Sequence, residues 1–231
     1  MPTLEVSASE HFEYFRHVTV RSGGSLPLLS RCCERSVAQP GAEPSTTYHQ
    51  AYYQFSEDVR GIISDLARLP CPVIASINGI ALGGGLELAL AADIRVVSPL
   101  CTLGLPETGL GIIPGVGGTQ RTPRLIGNSR AKLLMFTGRR LNGQEAVDWG
   151  LADVLSDNPD ATAQQLLAET LPKAPQALAQ AKVAVDEGSQ MSLPSGLAFE
   201  RAAYMQLFHT EDRVEALAAF AEKRPPVFKG C

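Results

Sequence analysis

The pattern of hydrophobic and polar positions is regular only from about residue 50 onward. Between Phe55 and Leu69, apolar residues recur every three or four positions, which predicts an amphipathic helix. The Pro-Cys-Pro stretch at 70–72 ends this helix, because proline disfavours helical backbone at the residue before it. The apolar run Val73–Ile77 then predicts a buried strand, and Asn78-Gly79 predicts a turn after it.

A second helix and strand follow the first strand closely. Three glycines at 83–85 precede an apolar helix predicted over Leu86–Ala92, and Ile94–Val97 predicts a further strand. This strand–helix–strand order with short links is typical of an α/β layer arrangement. From Asn142 onward the pattern predicts mainly helices, near 142–150, 159–171, 175–188, 192–208 and after Thr210, with one short strand at 152–155.

The first 49 residues lack this regularity. They mix Ser, Gly, Pro and charged residues, and only Val18–Val20 suggests a strand. We therefore predict three regions: an atypical N-terminal segment at 1–49 that is loop or disordered, an α/β core at 50–158 and a helical region at 159–231.

Composition narrows the class of protein. A net charge of −4 argues against a nucleic-acid surface, which is usually basic. The helix before the core strand also balances Arg60 and Arg68 against Glu57, Asp58 and Asp65, so no RNA or DNA partner is predicted. No apolar run approaches the roughly 20 residues of a membrane span. The five cysteines and four histidines show neither a disulfide framework nor a metal-ligand spacing, so no metal site is predicted.

Two glutamates and a glycine turn are the candidate chemistry. The turn before Leu86 permits close approach of a ligand to backbone amides, although it could equally serve packing alone. Glu87 lies in an apolar run, so its carboxyl is either desolvated or exposed between apolar neighbours. Glu107 follows Pro106, which would fix the backbone before it, although a surface glutamate at a strand end is the alternative. Two carboxyls facing one cleft could exchange protons with a water held between them. Arg139-Arg140 fits a solvated face better than a phosphate contact.

Taken together, these motifs resemble the signature of the enoyl-CoA hydratase/isomerase (crotonase) superfamily, and most closely its methylglutaconyl-CoA hydratase-like branch. The resemblance covers roughly residues 50–230. It is carried by Ile77–Ala89, Asp93–Arg95, Gly104–Glu107, Gly111–Arg121, Thr137–Arg140, Glu145-Ala146, Asp212-Arg213 and Phe220–Arg224. It implies the α/β ClpP/crotonase-like fold with a C-terminal helical trimerisation region.

The resemblance also implies residue roles. The Gly84 amide would donate to the thioester oxygen, while Glu87 and Glu107 would orient water and move its proton during addition across the 2,3 double bond. Coenzyme A is part of the substrate, so no separate cofactor is implied. Residues implied to contact the acyl-CoA are Gly83, Gly84, Pro106, Gly115, Phe220 and Lys223, the last from a neighbouring subunit.

The implied function is hydration of a 2,3-unsaturated acyl-CoA to the 3-hydroxyacyl-CoA, in fatty-acid or branched-chain amino-acid breakdown, by a homotrimer or hexamer. The alternatives are a catalytically impaired subunit that acts through oligomerisation, and an enoyl-CoA isomerase. Family membership suggests the mitochondrial matrix. Glu5, Glu10 and Glu13 are unlike a presequence, which leaves the cytoplasm as the alternative.

The N-terminal segment departs from the family pattern. The family opens with a strand bearing an Asn-Arg-Pro-like stretch, then a helix and a second strand that ends in Ala-Gly-x-Asp and supplies another oxyanion amide. Neither motif occurs in Met1–His49. The N-terminal ββα elements are therefore predicted to be missing, together with the second amide.

Overall fold

The computed structural model describes residues 3–6, 18–22 and 46–231, with side chains from position 50 onward except at 51, 52 and 55. Packing divides the chain into two compact units. The first unit extends to Arg68 and resumes over Val73–Gln164, and the second comprises Leu69–Pro72 and Gln165–Cys231. The three-region division made from the sequence stays a prediction.

A five-stranded mixed sheet is the framework of the first unit. Its strands, in spatial order, are β1 (Thr3–Val6), β2 (Val18–Ser22), β3 (Val73–Ile77), β5 (Ile94–Val97) and β7 (Val154–Leu155). The first two pairings are antiparallel, whereas β3, β5 and β7 run parallel to one another. Every residue of β3 is buried, which explains its unbroken apolar sequence. Two short parallel strands, β4 (Ile80–Leu82) and β6 (Thr102–Gly104), form a second sheet.

The N-terminal strands correct one prediction. Val18–Ser22 pairs along the whole of β3, with Val20 opposite Ala75, and Thr3–Val6 pairs along β2. The prediction that the N-terminal strands are missing is therefore wrong for these two segments. The weak pattern at Val18–Val20 did mark a strand, whereas Thr3–Val6 gave no signal. Residues 46–49 are helical, so the prediction that 1–49 is loop or disordered is wrong there as well. For the other residues of this segment, the predicted disorder concerns positions outside the described residues.

Among its described residues the first unit also contains the helices α1 (Thr46–Ala67), α2 (Gly84–Ala89), α3 (Gly118–Thr137) and α4 (Gly143–Trp149). The predicted α1, α2 and α4 are confirmed, although α2 ends three residues before Ala92. At α4, Asn142 accepts from the Glu145 amide and Glu145 accepts from the Asn142 amide, both at 2.9 Å, which forms a capping box. Helix α3 was not predicted, because Pro123 lies inside it and Gly127 interrupts it with φ of 77°.

The second unit is helical, as its sequence predicts. Helix α5 (Pro159–Thr170) crosses the boundary between the units, and α6 (Pro175–Gly188), α7 (Leu193–Leu207) and α8 (Glu211–Glu222) follow. After α8 the chain returns to Asp212, whose buried carboxylate accepts from the amides of Lys229 at 2.7 Å and Gly230 at 2.9 Å. Within the described ranges, no helix has the length and apolar character that crossing a bilayer requires.

Candidate active site

Glu87 is held inside the first unit by the start of another helix. Its side chain is only 3% exposed, and one oxygen, Oε1, accepts hydrogen bonds from the amides of Val116 at 2.9 Å and Gly118 at 2.7 Å. These amides precede and begin α3, where backbone N–H groups lack intrahelical acceptors. The alternative of an exposed glutamate on α2 is thereby excluded.

Gly117 and Gly118 allow this approach to Glu87. Gly117 has φ of 126°, a conformation that favours glycine. A Cβ atom at Gly118 would lie 2.8 Å from Cβ of Pro114 and 3.0 Å from Oε1 of Glu87. Part of the segment Gly111–Arg121, one of those that carry the family resemblance, therefore holds one of the candidate carboxylates.

Glu107 is buried in a different way. It begins a 3-10 helix (Glu107–Leu110) directly after Pro106, and its side chain is 8% exposed. Neither carboxyl oxygen has a hydrogen-bond partner among the residues the structure describes. Burial raises the pKa of the Glu107 carboxyl above its ordinary value. The residue's own nearby backbone N–H opposes this shift, and the negative charge of Glu87 adds to it. A proton is thus retained on Glu107 to a higher pH than on an ordinary glutamate.

The glycine turn before α2 lies against Glu107. Gly83 has φ of 54°, and a Cβ atom there would lie 3.1 Å from Oε1 of Glu107. Gly84 is the first residue of α2, so no preceding turn of that helix can accept from its amide. The structure thus brings Glu107 to the glycine turn and within electrostatic range of Glu87. The catalytic roles assigned to Glu87, Glu107 and Gly84 stay predictions.

A cavity of about 470 Å³ adjoins the loop that holds Glu87. It is lined by residues 114–117, by the polar residues Ser64, Thr119 and Gln120, and by Arg60, Arg121 and Arg124. No sequence pattern marked these arginines as site residues. Burial lowers the pKa of Arg121 from its usual range and the nearby Glu87 opposes that shift, so Arg121 and Glu87 interact electrostatically.

The remaining predicted contacts are spread over the chain. Pro106 lies beside Glu107, and Gly115 lines the arginine cavity, where its carbonyl accepts from Nη2 of Arg60 at 3.0 Å. Phe220 and Lys223 belong to the second unit. Phe220 is 85% exposed, and Lys223 ends α8 in the left-handed conformation with φ of 56°. These four substrate contacts stay predictions.

Arg139 takes part in a separate cluster. Its guanidinium lies 5.6 Å from the ring centroid of Trp149, and Arg130 lies at the same distance from that ring. Arg130 also donates to the Trp149 carbonyl at 3.1 Å. Arg139 therefore packs on an aromatic ring. Its position is explained by this contact, and no phosphate ligand is needed to explain it.

The site combines two carboxyls with different constraints. Glu87 is an acceptor fixed by two amides, whereas Glu107 has no described partner and a raised pKa. Such a pair can divide proton transfer, one group taking a proton from water and the other giving one.

Comparisons with known proteins agree with this geometry. The family model of enoyl-CoA hydratase/isomerase matches residues 40–231. Methylglutaconyl-CoA hydratase of mouse mitochondria is 52% identical over 182 residues, covering 76% of this chain and 58% of that protein. A putative enoyl-CoA hydratase/isomerase of Bacillus subtilis is 52% identical over 167 residues, covering 71% of this chain and 64% of that protein.

Solved structures give the same result. An enoyl-CoA hydratase from Bacillus anthracis superposes with a TM-score of 0.76 at 45% identity, covering 79% of this chain and 71% of that one. The chain belongs to the enoyl-CoA hydratase/isomerase family, and its α/β crotonase fold is confirmed. It spans less than two thirds of the length of the curated relatives just described.

Proposed function

We propose that this chain adds water across the 2,3 double bond of an enoyl-CoA thioester and forms the 3-hydroxyacyl-CoA. The observation that carries the proposal is the pair of buried carboxyls at the glycine turn, one fixed by amides and one without a described partner. Relatives named as hydratases support the same reaction class.

The two carboxyls suggest a division of labour. Glu87, whose Oε1 is held by two amide donors, would act as the base that takes a proton from water. No hydrogen bond to its Oε2 occurs among the described residues, so that oxygen can reach the water while Oε1 stays anchored. Glu107, with its raised pKa, would deliver the proton to C2 of the substrate.

The Gly84 amide would stabilise the reacting thioester. As C3 accepts the hydroxyl, negative charge develops on the thioester oxygen, and an amide at the start of a helix is suited to receive it. The predicted absence of a second oxyanion amide within 1–49 stays a prediction, because most of that segment lies outside the described residues.

A hydration assay tests this function. We expect loss of the enoyl absorbance of crotonyl-CoA in the presence of the protein, with solvent oxygen incorporated into the product. Glu87→Gln and Glu107→Gln should each lower kcat by at least about 100-fold, because each removes one proton-transfer group. Glu200→Gln, an exposed glutamate on α7, is the matched control and should retain full activity.

The outcomes separate the alternatives. A shift of the double bond without oxygen incorporation would identify an isomerase. Absence of both reactions in a folded protein would instead favour a subunit that acts through association.

We further infer that the chain associates with copies of itself through its C-terminal helices. Large apolar side chains are exposed on α6, α7 and α8, among them Val185, Leu193, Leu197, Leu217 and Phe220. Exposed apolar area of this extent supports an interface. Light scattering should give the mass of a trimer or hexamer, and a monomeric mass would contradict the inference.

We also infer that the protein is located in mitochondria. Two kinds of relatives, methylglutaconyl-CoA hydratase and enoyl-CoA hydratase domain-containing protein 2, are named as mitochondrial proteins, which supports this inference. Imaging of the tagged protein against a matrix marker tests it, and a cytoplasmic distribution would overturn it.

A further inference from the structure

The loop that holds Glu87 is itself held by Arg121. The Val116 amide donates to Oε1 of Glu87 at 2.9 Å, and the Val116 carbonyl accepts from Nη1 of Arg121 at 3.1 Å. One backbone group of Val116 therefore binds the candidate catalytic base, while the other is bound by an arginine side chain. A change at Arg121 would reach Glu87 through this single residue.

Gly117 allows the guanidinium to lie against the loop. A Cβ atom at Gly117 would overlap Nη1 of Arg121 and would lie 3.1 Å from its Cζ, so the guanidinium fills the space that a side chain at position 117 would take. The Arg121 amide also donates to the Gly117 carbonyl, at 2.8 Å. Arg121 thus contacts the stretch of backbone between the two amides, at positions 116 and 118, that donate to Glu87.

Arg121 also acts on the charge of Glu87. The electrostatic interaction between the two side chains opposes the effect of burial on the pKa of Arg121, so the guanidinium attracts the Glu87 carboxylate. An arginine keeps its positive charge across the pH range in which enzymes work. The attraction is therefore present whenever Glu87 is ionised, and it acts in the same direction as the two amide hydrogen bonds.

We propose that Arg121 is a positioning residue for the hydration. It holds the backbone of Val116 and Gly117 so that Glu87 keeps Oε1 anchored and presents Oε2 to the attacking water. The proposal rests on the proposed function, in which Glu87 is the base, and Arg121 does not itself touch the reacting atoms. Arg121 also lines the arginine cavity, so direct contact with the substrate is the competing role.

Replacement of Arg121 tests the positioning role through kcat. Arg121→Met keeps most of the side-chain length but loses the charge and the donors. Because Glu87 would be misplaced, kcat for crotonyl-CoA should fall by about 10- to 100-fold, while KM changes by less than about threefold. Arg121→Lys keeps a charge and a donor but lacks the planar fork, and its kcat should exceed that of Arg121→Met by at least about threefold.

Lys132→Met is the matched control. Lys132 is an exposed residue of α3, and its replacement removes one positive charge from the same helix, so kcat should stay at the wild-type value. Thermal unfolding shows whether each variant is folded. If Arg121→Met does not fold, Arg121→Gln, which keeps a polar donor, takes its place with the same expectation. Wild-type kcat in the folded variant would overturn the proposal.

A double-mutant cycle separates positioning from substrate contact. If Arg121 acts through Glu87, Arg121→Met should change kcat by less than about twofold in a Glu87→Gln background, because the group that it positions is already lost. A substrate contact would instead raise KM, and that rise would persist in the Glu87→Gln background. The second outcome would overturn the proposal.

Hydrogen exchange tests the positioning role without turnover. Exchange of a peptide spanning residues 111–120, measured by mass spectrometry, should become at least about threefold faster in Arg121→Met and stay unchanged in Lys132→Met. If the wild-type protein does not hydrate crotonyl-CoA but exchange becomes faster in Arg121→Met, the proposed function is refuted and the role of Arg121 in holding the loop is supported. Unchanged exchange in Arg121→Met would refute that role.

Discussion

Replacing Gly118 with alanine adds a methyl group at a position where the structure leaves no room for one. The added Cβ would lie 2.8 Å from the ring carbon of Pro114 and 3.0 Å from Oε1 of Glu87, where ordinary contacts begin at about 3.4 Å. The proline ring is bonded to the backbone nitrogen, so it cannot rotate away as a flexible side chain would. Either the loop or the Glu87 carboxyl must therefore move by several tenths of an ångström.

Such a movement would disturb the hydrogen bond that orients Glu87. The Gly118 amide donates at 2.7 Å, and a charge-assisted bond of this kind is worth about 1.5–3 kcal/mol. Misplacement of a catalytic group by about 1 Å can cost about 100-fold in rate. We therefore expect Gly118→Ala to lower kcat for crotonyl-CoA hydration by about 10- to 100-fold, with a smaller change in KM.

Gly109→Ala is the appropriate control. Gly109 lies in the neighbouring 3-10 helix, is exposed, and a Cβ atom there meets nothing within 4 Å. Steady-state kinetics and thermal unfolding of both variants separate a local effect from misfolding. Wild-type kcat in a folded Gly118→Ala protein would falsify the reasoning, since Glu87 would then not depend on this amide for its position.

Three further predictions concern stability. Because the pKa of Glu107 is raised in the folded state, its stabilising contribution is present at low pH and is lost as the pH rises through the folded pKa. Glu107→Gln should therefore raise Tm relative to wild type near pH 8, by an amount that shrinks toward about pH 4; a difference independent of pH would contradict this. Asn142→Ala removes the capping box of α4 and should lower the free energy of unfolding by about 1 kcal/mol, measured as a fall in Tm of about 2–4 °C. The control Gln144→Ala, at an exposed position of the same helix, should have little effect on Tm. Asp212→Ala removes the acceptor of two tail amides and should cost about 2–3 kcal/mol and expose residues after α8 to proteolysis. Glu211→Gln, which changes only exposed contacts with Lys229 and Cys231, both at 3.6 Å, should leave stability and proteolysis unchanged.

Local patterns account for the parts of the fold that were predicted. The apolar run Val73–Ile77 and the spacing of α1 each carry their own signal, because burial on a strand or a helix face dictates the residues there. Helix α3 escaped prediction, since Pro123 and Gly127 are read as helix breakers although only Gly127 departs from helical geometry. Strand β1 has four residues, and its pairing with β2 is a tertiary effect that no local pattern reports.

The candidate site could likewise be predicted only in part. The sequence marked Glu87 and Glu107, because a carboxylate in an apolar run or after a proline is unusual. It could not decide that Glu87 is buried, which depends on amides 29 and 31 positions later in the chain. The arginine cavity was missed for a similar reason: Arg60 and Arg121 lie on separate helices and meet only in the folded chain.

The hydrogen bond between Gly118 and Glu87 has a consequence for how the sequence can diverge. The Gly118 amide positions the Glu87 carboxylate, and this close approach is possible only because position 118 has no side chain. The residues at the two positions therefore depend on each other. Relatives that have lost the carboxylate at position 87 should also accept larger residues at position 118, whereas relatives that keep it should not. Transplanting α2 from one relative into another without the start of α3 should yield a folded but inactive chimera.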